Sequence, residues 1–251
     1  MRRRLSILAA AWAFVAISAA PTKAVAQATP DQPIEAVLEL FTSQGCSSCP
    51  AADALFETYT KRAGILALSF PIDIWDKLGW KDTLANPKFS KRQKAYAKMR
   101  HDGRIYTPQL VINAGAHVVG SNSAAIEAEL GRSLTASKPI WVPVVARREA
   151  DTIVVDVSEQ ANHAVAEATL WLVNFDHRIT VEISRGENAG KSITYSNVVR
   201  DIAPVGVWTG TKTTLRLPIS AAGDGKTSSG AVILQRGGSG RIIGATVLAG
   251  R

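Results

Sequence analysis

The sequence predicts an α/β domain followed by an all-β domain of sandwich type. At residues 32–137, apolar strand-like runs alternate with helical patterns in the order strand, helix, strand, helix, strand, strand, helix, which is the layer pattern of an α/β fold. From residue 140 onward, short strand-like runs follow one another between turn residues without a convincing helix, and this spacing is typical of β-sandwiches. We therefore place a domain boundary between residues 138 and 139.

The N-terminal segment, residues 1–28, is predicted to be a secretory signal peptide. Three arginines follow the initial Met, residues 5–20 are almost wholly apolar, and small residues predominate at positions 24–28, which is the order of a cleavable export signal. An uncleaved membrane anchor is the alternative, although the apolar run is shorter than the roughly 20 residues that a membrane span needs. We expect a periplasmic or secreted protein with an α/β domain at residues 29–138 and a β-domain at residues 139–251.

The elements of the α/β domain follow from two kinds of pattern. Apolar runs bounded by turn residues predict strands, and the last two strands are expected to form a hairpin through Ala114 and Gly115. The strands are placed at residues 34–41, 65–74, 109–113 and 117–120. Apolar residues at helical spacing predict helices, which are placed at residues 50–62, 87–101 and 123–134.

In the β-domain, short runs rich in apolar and β-branched residues predict the strands. They lie at residues 141–147, 152–157, 168–173, 178–183, 213–217, 230–235 and 242–248. Residues 185–200 are rich in charged and amide side chains, and we interpret them as a long polar loop. This loop is expected to form turns and salt bridges between the two domains, and a place in a substrate groove is the alternative.

Charge and composition argue against several function classes. The formal net charge of +8 falls to +4 when the four basic residues of the signal peptide are removed. The other basic residues are scattered, apart from a helix face at residues 88–100, so nucleic acid is not an expected partner. No phosphate-binding loop or dinucleotide fingerprint follows a predicted strand, and we expect no cofactor.

The two cysteines of the chain, Cys46 and Cys49, are three residues apart in the sequence GCSSCP. A disulfide that closes so short a loop restricts the unfolded chain very little, so it is a poor structural staple. The pair lies between a predicted buried strand and a predicted helix, and the positive potential at a helix N-terminus favours a thiolate. We assign Cys46 as the nucleophile of disulfide exchange, Cys49 as the resolving thiol, and Gly45 as the residue that lets the chain turn and keeps the sulfur accessible.

Other uses of the cysteine pair remain open. A structural zinc site usually has four ligands, and neither a second CxxC nor a histidine pair at ligand spacing is present, so we assign no metal ligands. Two soft thiolates suit copper(I), which makes a copper carrier an alternative function. The pair could also be an inert clip in a non-catalytic envelope binding module whose β-domain recognises a partner.

A proline precedes the predicted hairpin, in the sequence YTPQLVIN. Proline cannot donate a hydrogen bond to a strand ladder and belongs at the first residue of a strand or at an edge. If the bond between Thr107 and Pro108 is cis, the backbone of Thr107 can turn towards the cysteines and pair with an extended substrate. Pro108 is therefore a candidate for shaping the active site, and Thr107 is a candidate for binding substrate.

These motifs together resemble the thioredoxin fold over residues 32–137. Four sequences further resemble an exported bacterial family catalogued as domain of unknown function 1223 (DUF1223): LELFTSQGCSSCPAADALF, DIWDKLGWKD, YTPQLVIN and RGENAGKSITYSNVVR. The resemblance implies a thioredoxin-like fold, a cis bond before Pro108 and an appended β-rich domain. Thioredoxins also have a buried acid beneath the CxxC that moves protons, and the resemblance makes Glu39 the nearest candidate. An ion-paired or surface acid is the alternative for Glu39.

The segment DIWDKLGWKD, after the second predicted strand, combines two tryptophans with several acids. In open α/β sheets the active site lies beyond the carboxyl ends of the strands, so this segment is expected near the cysteines. Trp75 and Trp80 are candidates for an apolar floor under a peptide substrate, and Asp73 or Asp76 for tuning the pKa of a thiol. A loop fixed by its own tryptophan packing and aspartate caps is the alternative.

The sequence thus predicts an exported thiol–disulfide oxidoreductase that acts through its CxxC pair. Its expected partners are protein or small-molecule thiols and disulfides. A membrane redox partner is a further candidate, because a reductant outside the cytoplasm needs electrons from across the membrane.

Overall fold

A computed structural model of the chain describes residues 33–160, 167–222 and 229–248. The predicted signal peptide lies outside these residues. The helices are α1 (Cys49–Thr60), α2 (Pro87–Arg100) and α3 (Ser123–Ser137). The strands are β1 (Ala36–Thr42), β2 (Ile65–Pro71), β3 (Gln109–Ile112), β4 (His117–Val119), β5 (Val144–Glu149), β6 (Thr152–Val157), β7 (Ala168–Ile183), β8 (Lys191–Trp208), β9 (Thr213–Pro218), β10 (Ser229–Arg236) and β11 (Ile242–Val247). No helix in these ranges is long and apolar enough to cross a membrane.

A mixed sheet of eight strands organises the molecule, in the order β11-β10-β7-β8-β2-β1-β3-β4. β1 and β2 run parallel, as expected for strands joined by a crossover helix, and β3 and β4 extend the sheet beyond β1 as an antiparallel hairpin. On the other side β8 joins β2 in parallel, where Ser69 is paired with Val198. The sheet therefore continues across residue 139, where the sequence predicts a domain boundary.

Helices cover both faces of the sheet around β1. Successive side chains of a strand point to opposite faces, and every residue of β1 is buried. Leu40 packs with Phe56 of α1 and Leu130 of α3, whereas Phe41, on the other face, makes an edge-to-face contact with Tyr96 of α2. The cysteine-bearing helix α1 and the helix α2 are thus separated by the sheet.

A second sheet of three strands, in the order β5-β6-β9, packs against the C-terminal strands of the large sheet. Val144 and Val155 of the small sheet form one apolar cluster with Leu170, Leu234 and Ile243. Another apolar cluster contains residues from β1, β2 and α2 together with residues from β7, β8 and β10. The protein is a mixed α/β structure in which the C-terminal strands both extend the main sheet and build a second layer.

The C-terminal half differs from the sequence-based prediction in two places. The polar loop predicted at residues 185–200 is wrong over most of its length, because residues 191–200 belong to β8. Apolar side chains there, such as Tyr195, are buried. Polar residues between them, however, obscure the alternation of apolar and polar side chains that predicts a strand. The two strands predicted at 168–173 and 178–183 form the single strand β7, which continues through two register irregularities.

Candidate functional site

The cysteine pair lies where β1 ends and α1 begins. β1 ends at Thr42, residues 43–48 lead into the helix, and α1 begins at Cys49. Cys46 and Cys49 are joined by a disulfide, with their Cα atoms 5.4 Å apart. Cys46 is 6% exposed and Cys49 is 0% exposed, so of the two residues only Cys46 reaches solvent.

The N-terminus of α1 favours negative charge near Cys46. Pro50 occupies the first turn of the helix, where its missing N–H is not needed. The N-cap residue Ser48 makes no side-chain hydrogen bond to the helix, and its hydroxyl instead lies 3.4 Å from Sγ of Cys46. The first N–H groups of a helix have no partner within the helix, so they and the helix dipole favour a thiolate once the disulfide is reduced.

Asp53 is a buried acid one helical turn from the disulfide. It follows Cys49 by four residues in α1, so both lie on the same face of the helix. Asp53 is 4% exposed, the Thr42 hydroxyl lies beside its carboxyl, and within the described ranges neither carboxyl oxygen has a hydrogen-bond partner. Burial raises the pKa of Asp53 from 3.8 to about 8, and the neighbouring Asp82 acts in the same direction. The carboxyl is therefore mostly protonated at neutral pH.

Asp82 and Tyr195 complete a cluster of buried ionisable groups around Asp53. Asp82 accepts a hydrogen bond from the backbone N–H of Gln44 at 2.8 Å, and burial raises the pKa of Asp82 to about 6. Burial and the charges of both aspartates raise the pKa of Tyr195, whose hydroxyl has no hydrogen-bond partner within the described ranges. Sequence reasoning included Asp82 only as one of the acids of the segment DIWDKLGWKD. It missed Asp53, which lies in a predicted helix, and Tyr195, which lies in the segment predicted to be a loop.

Glu39 is buried, as expected, but it lies away from the cysteines. Its carboxylate accepts hydrogen bonds from Nε of Arg92 at 2.7 Å and from the hydroxyl of Tyr96 at 2.6 Å, and both partners belong to α2. Because α2 and α1 cover opposite faces of the sheet, the geometry does not support the proton-transfer role that the resemblance implies for Glu39. Its surroundings match the ion-paired alternative.

Gly45, Trp75 and Thr107 lie together beside the cysteines. The indole N–H of Trp75 donates a hydrogen bond to Oγ1 of Thr107 at 2.8 Å. A Cβ atom at Gly45 would lie 3.1 Å from Cβ of Trp75, whereas the φ angle of Gly45 is outside the left-handed range. Gly45 does lie in a tight turn, which is closed by a hydrogen bond from the backbone N–H of Cys46 to the carbonyl of Ser43 at 3.2 Å, but the close approach of Trp75 and not the φ angle is what favours glycine there.

Pro108 lies beside the first turn of α1. The bond between Thr107 and Pro108 is cis, as the resemblance implies. A Cβ atom at Gly120 would lie 3.3 Å both from Cβ of Pro108 and from Cβ of Ala52, so these three residues pack closely together. Thr107 and Pro108 are thus brought next to the helix that carries Cys49.

The loop after β2 is fixed by contacts within itself, with the cysteine turn and with α2. The indole N–H of Trp80 donates to Oε1 of Gln44 at 2.8 Å, and the Asp76 carboxylate accepts a hydrogen bond from the backbone N–H of Asp82 at 3.0 Å. Asp73 is hydrogen-bonded to a serine hydroxyl of α2. Asp82, rather than Asp73 or Asp76, is therefore the acid of this loop that reaches the cysteine turn.

Asn188, in the loop between β7 and β8, holds the cysteine turn in place. Its side chain is fully buried, and its amide N–H groups donate to the backbone carbonyls of Gln44 and Cys46, both at 2.9 Å. The amide oxygen accepts a hydrogen bond from Nζ of Lys191 at 2.9 Å. The C-terminal half of the chain thus contributes directly to the site.

The same loop makes two further contacts with the site. The carboxylate of Glu187 accepts a hydrogen bond from the backbone N–H of Ser47 at 3.1 Å, across 140 residues of sequence. Gly186 has a φ of 76°, and a Cβ atom there would lie 3.1 Å from Cβ of Trp80.

In the described part of the chain, no group of three or more His, Cys, Asp or Glu side chains is arranged to hold a metal ion.

Comparison with known proteins identifies the family. A family model for a protein of unknown function, DUF1223, matches residues 37–235, which is most of the chain. The chain belongs to the DUF1223 family. This confirms the resemblance carried by the four sequence motifs.

Two solved structures resemble this DUF1223 protein. The X-ray structure of an Agrobacterium tumefaciens protein is 30% identical, with a TM-score of 0.77, over 88% of this chain and 96% of that chain. HBP35 of Porphyromonas gingivalis is 13% identical, with a TM-score of 0.61, over 87% of this chain and 76% of that chain, which shows similarity of fold alone. A search of curated proteins finds no match.

Replacing Asn188 by alanine is expected to lower the free energy of unfolding of this DUF1223 protein by about 2 kcal/mol, because two buried carbonyls each lose a hydrogen bond. Urea unfolding of the oxidised protein measures the change. Glu187→Ala is the matched control from the same loop: its partner Ser47 is exposed, so the change should stay below about 0.5 kcal/mol. Equal losses for the two variants would contradict the role assigned to Asn188.

Proposed function

We propose that this chain is an exported thiol–disulfide oxidoreductase that exchanges disulfides with protein or small-molecule thiols. The observation that carries the proposal is the Cys46–Cys49 pair. The two cysteines of the chain form a disulfide at the start of α1, and Cys46 is the one that reaches solvent. A chain that keeps both its thiols at a helix N-terminus has them where thiolates are most stable.

The exchange proceeds in two steps. A substrate thiolate attacks Sγ of Cys46, the Cys46–Cys49 bond breaks, and Cys49 leaves as a thiolate. A second substrate thiolate then attacks the substrate sulfur of the mixed disulfide, and Cys46 leaves as a thiolate, so the substrate is oxidised by two electrons and the protein is reduced. In reverse, the Cys46 thiolate attacks a substrate disulfide and one substrate thiolate leaves. Cys49 then attacks Sγ of Cys46 in the mixed disulfide, and the second substrate thiolate leaves.

Asp53 is the group placed to exchange a proton with Cys49. Both residues are buried on the same face of α1, one turn apart. Burial raises the pKa of Asp53 to about 8, so near neutral pH its carboxyl can both accept and donate a proton. The ionised fraction of Asp53 takes the proton of Cys49 before Cys49 attacks, and the protonated carboxyl gives a proton to Cys49 when Cys49 leaves.

The proposal includes a thioredoxin-like fold for the N-terminal half. Its support is the order of elements: the parallel β1–α1–β2 unit, then α2, the antiparallel hairpin β3–β4 and α3. Pro108 stands ahead of β3 and beside α1, where an extended substrate can pair with the backbone of Thr107. Export is supported by the signal-peptide pattern of residues 1–28, and it fits an oxidising compartment.

The reduction potential of the cysteine pair tests the proposal. The protein is equilibrated with glutathione buffers, the free thiols are alkylated, and the two forms are counted by mass spectrometry after the metal content has been checked. We expect a potential above those of structural disulfides, which lie below about −300 mV. A value near or above about −180 mV indicates an oxidant or isomerase, and a value near about −270 mV indicates a reductant. A pair that does not equilibrate, or that retains a stoichiometric metal ion, would contradict the proposal.

A further inference from the structure

A cavity of about 390 Å³ opens on the face of the sheet opposite to the cysteines. It is bounded by α2 and by residues of β7, β8 and the turn after β10. Its volume lies within the range of small-molecule sites, roughly 300–1,000 Å³. Its wall combines apolar residues with cations, among them Lys88, Lys91, Arg92, Trp171 and Ile202.

Two residues of this wall carry N–H groups without acceptors. Nη2 of Arg92 and Nε1 of Trp171 are both buried, and neither has a hydrogen-bond partner within the described ranges. The two side chains touch, since the Arg92 guanidinium lies 5.5 Å from the centre of the Trp171 ring. Buried donors are normally satisfied, so two orphan donors in one cavity wall indicate a site for an acceptor from outside the chain.

The charges of the cavity favour an anion. Nε of Arg92 is paired with Glu39 at 2.7 Å, and Lys88 is paired with Asp201 at 2.7 Å. Lys91 is exposed and forms no ion pair in the part of the chain that the structure describes. Arg92 and Lys88 are thus each paired with an acidic side chain, and Lys91 is available to pair with a ligand.

We propose that this cavity binds a small organic acid with an apolar body. The carboxylate is held by Lys91 next to the buried guanidinium of Arg92, and the apolar part packs on Trp171 and Ile202. This site is separate from the cysteine pair and does not depend on the redox function, because α2 and α1 lie on opposite faces of the sheet.

The test is calorimetric titration of the full chain with naphthalene-2-carboxylate, and with naphthalene-2-methanol as a neutral ligand of the same shape. We expect saturable binding of the carboxylate and about tenfold weaker binding of the alcohol, which lacks the charged contact. Lys91→Glu should weaken carboxylate binding by about tenfold or more. Lys94→Glu is the matched control: Lys94 is also exposed on α2 but lies outside the cavity wall, so binding should be unchanged.

A spectroscopic readout locates the ligand. In proton–nitrogen correlation spectra the indole N–H resonance of Trp171 should shift on titration, whereas that of Trp208 should not. Trp208 also has a buried indole N–H without an acceptor among the described residues, but it belongs to a different apolar cluster. The proposal is overturned if no saturable binding occurs, if Lys94→Glu weakens binding as much as Lys91→Glu, or if Trp171 does not respond.

Discussion

Replacing Cys46 by alanine is expected to reduce thiol–disulfide exchange to the uncatalysed rate, whereas replacing Cys49 by alanine should stop the reaction at a mixed disulfide. Cys46 is the residue that reaches solvent, and Cys49 is fully buried, so a substrate sulfur can bond only to Cys46. Without Cys49 no thiol remains in the chain to release the bound substrate. Cys46→Ala should therefore form no mixed disulfide with the substrate, whereas Cys49→Ala should accumulate it.

Mass spectrometry of the two variants after incubation with oxidised glutathione separates these outcomes. Cys49→Ala should carry one glutathione per chain, and Cys46→Ala should carry almost none. Ser47→Ala is a suitable control, because Ser47 is exposed between the cysteines and its side chain has no part in the exchange. An adduct on Cys46→Ala with none on Cys49→Ala would show that the roles of the two thiols are reversed.

Replacing Asp53 by asparagine is expected to stabilise the oxidised protein in alkaline solution by up to roughly 5 kcal/mol. The pKa of Asp53 is raised from 3.8 to about 8 in the folded protein, so between these pH values the folded state holds a proton that the unfolded chain has lost. The free energy of unfolding of the wild type therefore falls as the pH rises through this window. Asparagine is close in shape to the protonated acid and cannot ionise, so this loss disappears.

Urea unfolding at pH 5 and at pH 8 measures the effect. The advantage of Asp53→Asn should be roughly 1.5 kcal/mol at pH 5 and roughly 5 kcal/mol at pH 8. Asp82, whose pKa is raised to about 6, leaves a weaker fall of stability between about pH 4 and pH 6 in both proteins. Asp151→Asn, at an exposed position, should follow the wild type at each pH. If the stability of Asp53→Asn falls with rising pH in parallel with that of the wild type, the raised pKa assigned to Asp53 is wrong.

The same variant tests the proton transfer proposed for Asp53. If the carboxyl takes the proton of Cys49, Asp53→Asn should slow the release of a mixed disulfide, and this effect should shrink as the pH rises because the thiol then ionises unaided. Stability and kinetics are separate readouts, so a stabilised variant with normal exchange would contradict the catalytic role alone.

Local patterns predicted the parts of the site that are close in sequence. The CxxC pair, the helix that follows it and the proline before the hairpin each have a recognisable composition over a few residues. Trp75 was expected near the cysteines because the active site of an open α/β sheet lies beyond the carboxyl ends of the strands, and Thr107 because a cis bond before Pro108 would turn its backbone towards them. Their contact through a hydrogen bond at 2.8 Å agrees with this expectation.

Two features of the site could not be predicted from local patterns. Asn188 reaches Cys46 across 142 residues of sequence, and no local pattern reports such a contact. The face on which Glu39 lies was also hidden, because every residue of β1 is buried. A strand buried on both faces lacks the alternation that would distinguish them.

Because the main sheet is continuous, the cysteine-bearing half of the chain cannot be moved into another protein by itself. If the chain were cut at residue 138, β2 would lose its neighbour β8 and become an edge strand whose seven residues are all apolar or small. Such an edge is a template for pairing with other chains, and the turn that carries Cys46 would lose Asn188 in the same cut. A chimera that contains this cysteine pair must therefore also contain the C-terminal strands. Fusion and recombination points should accordingly lie outside the eight-stranded sheet.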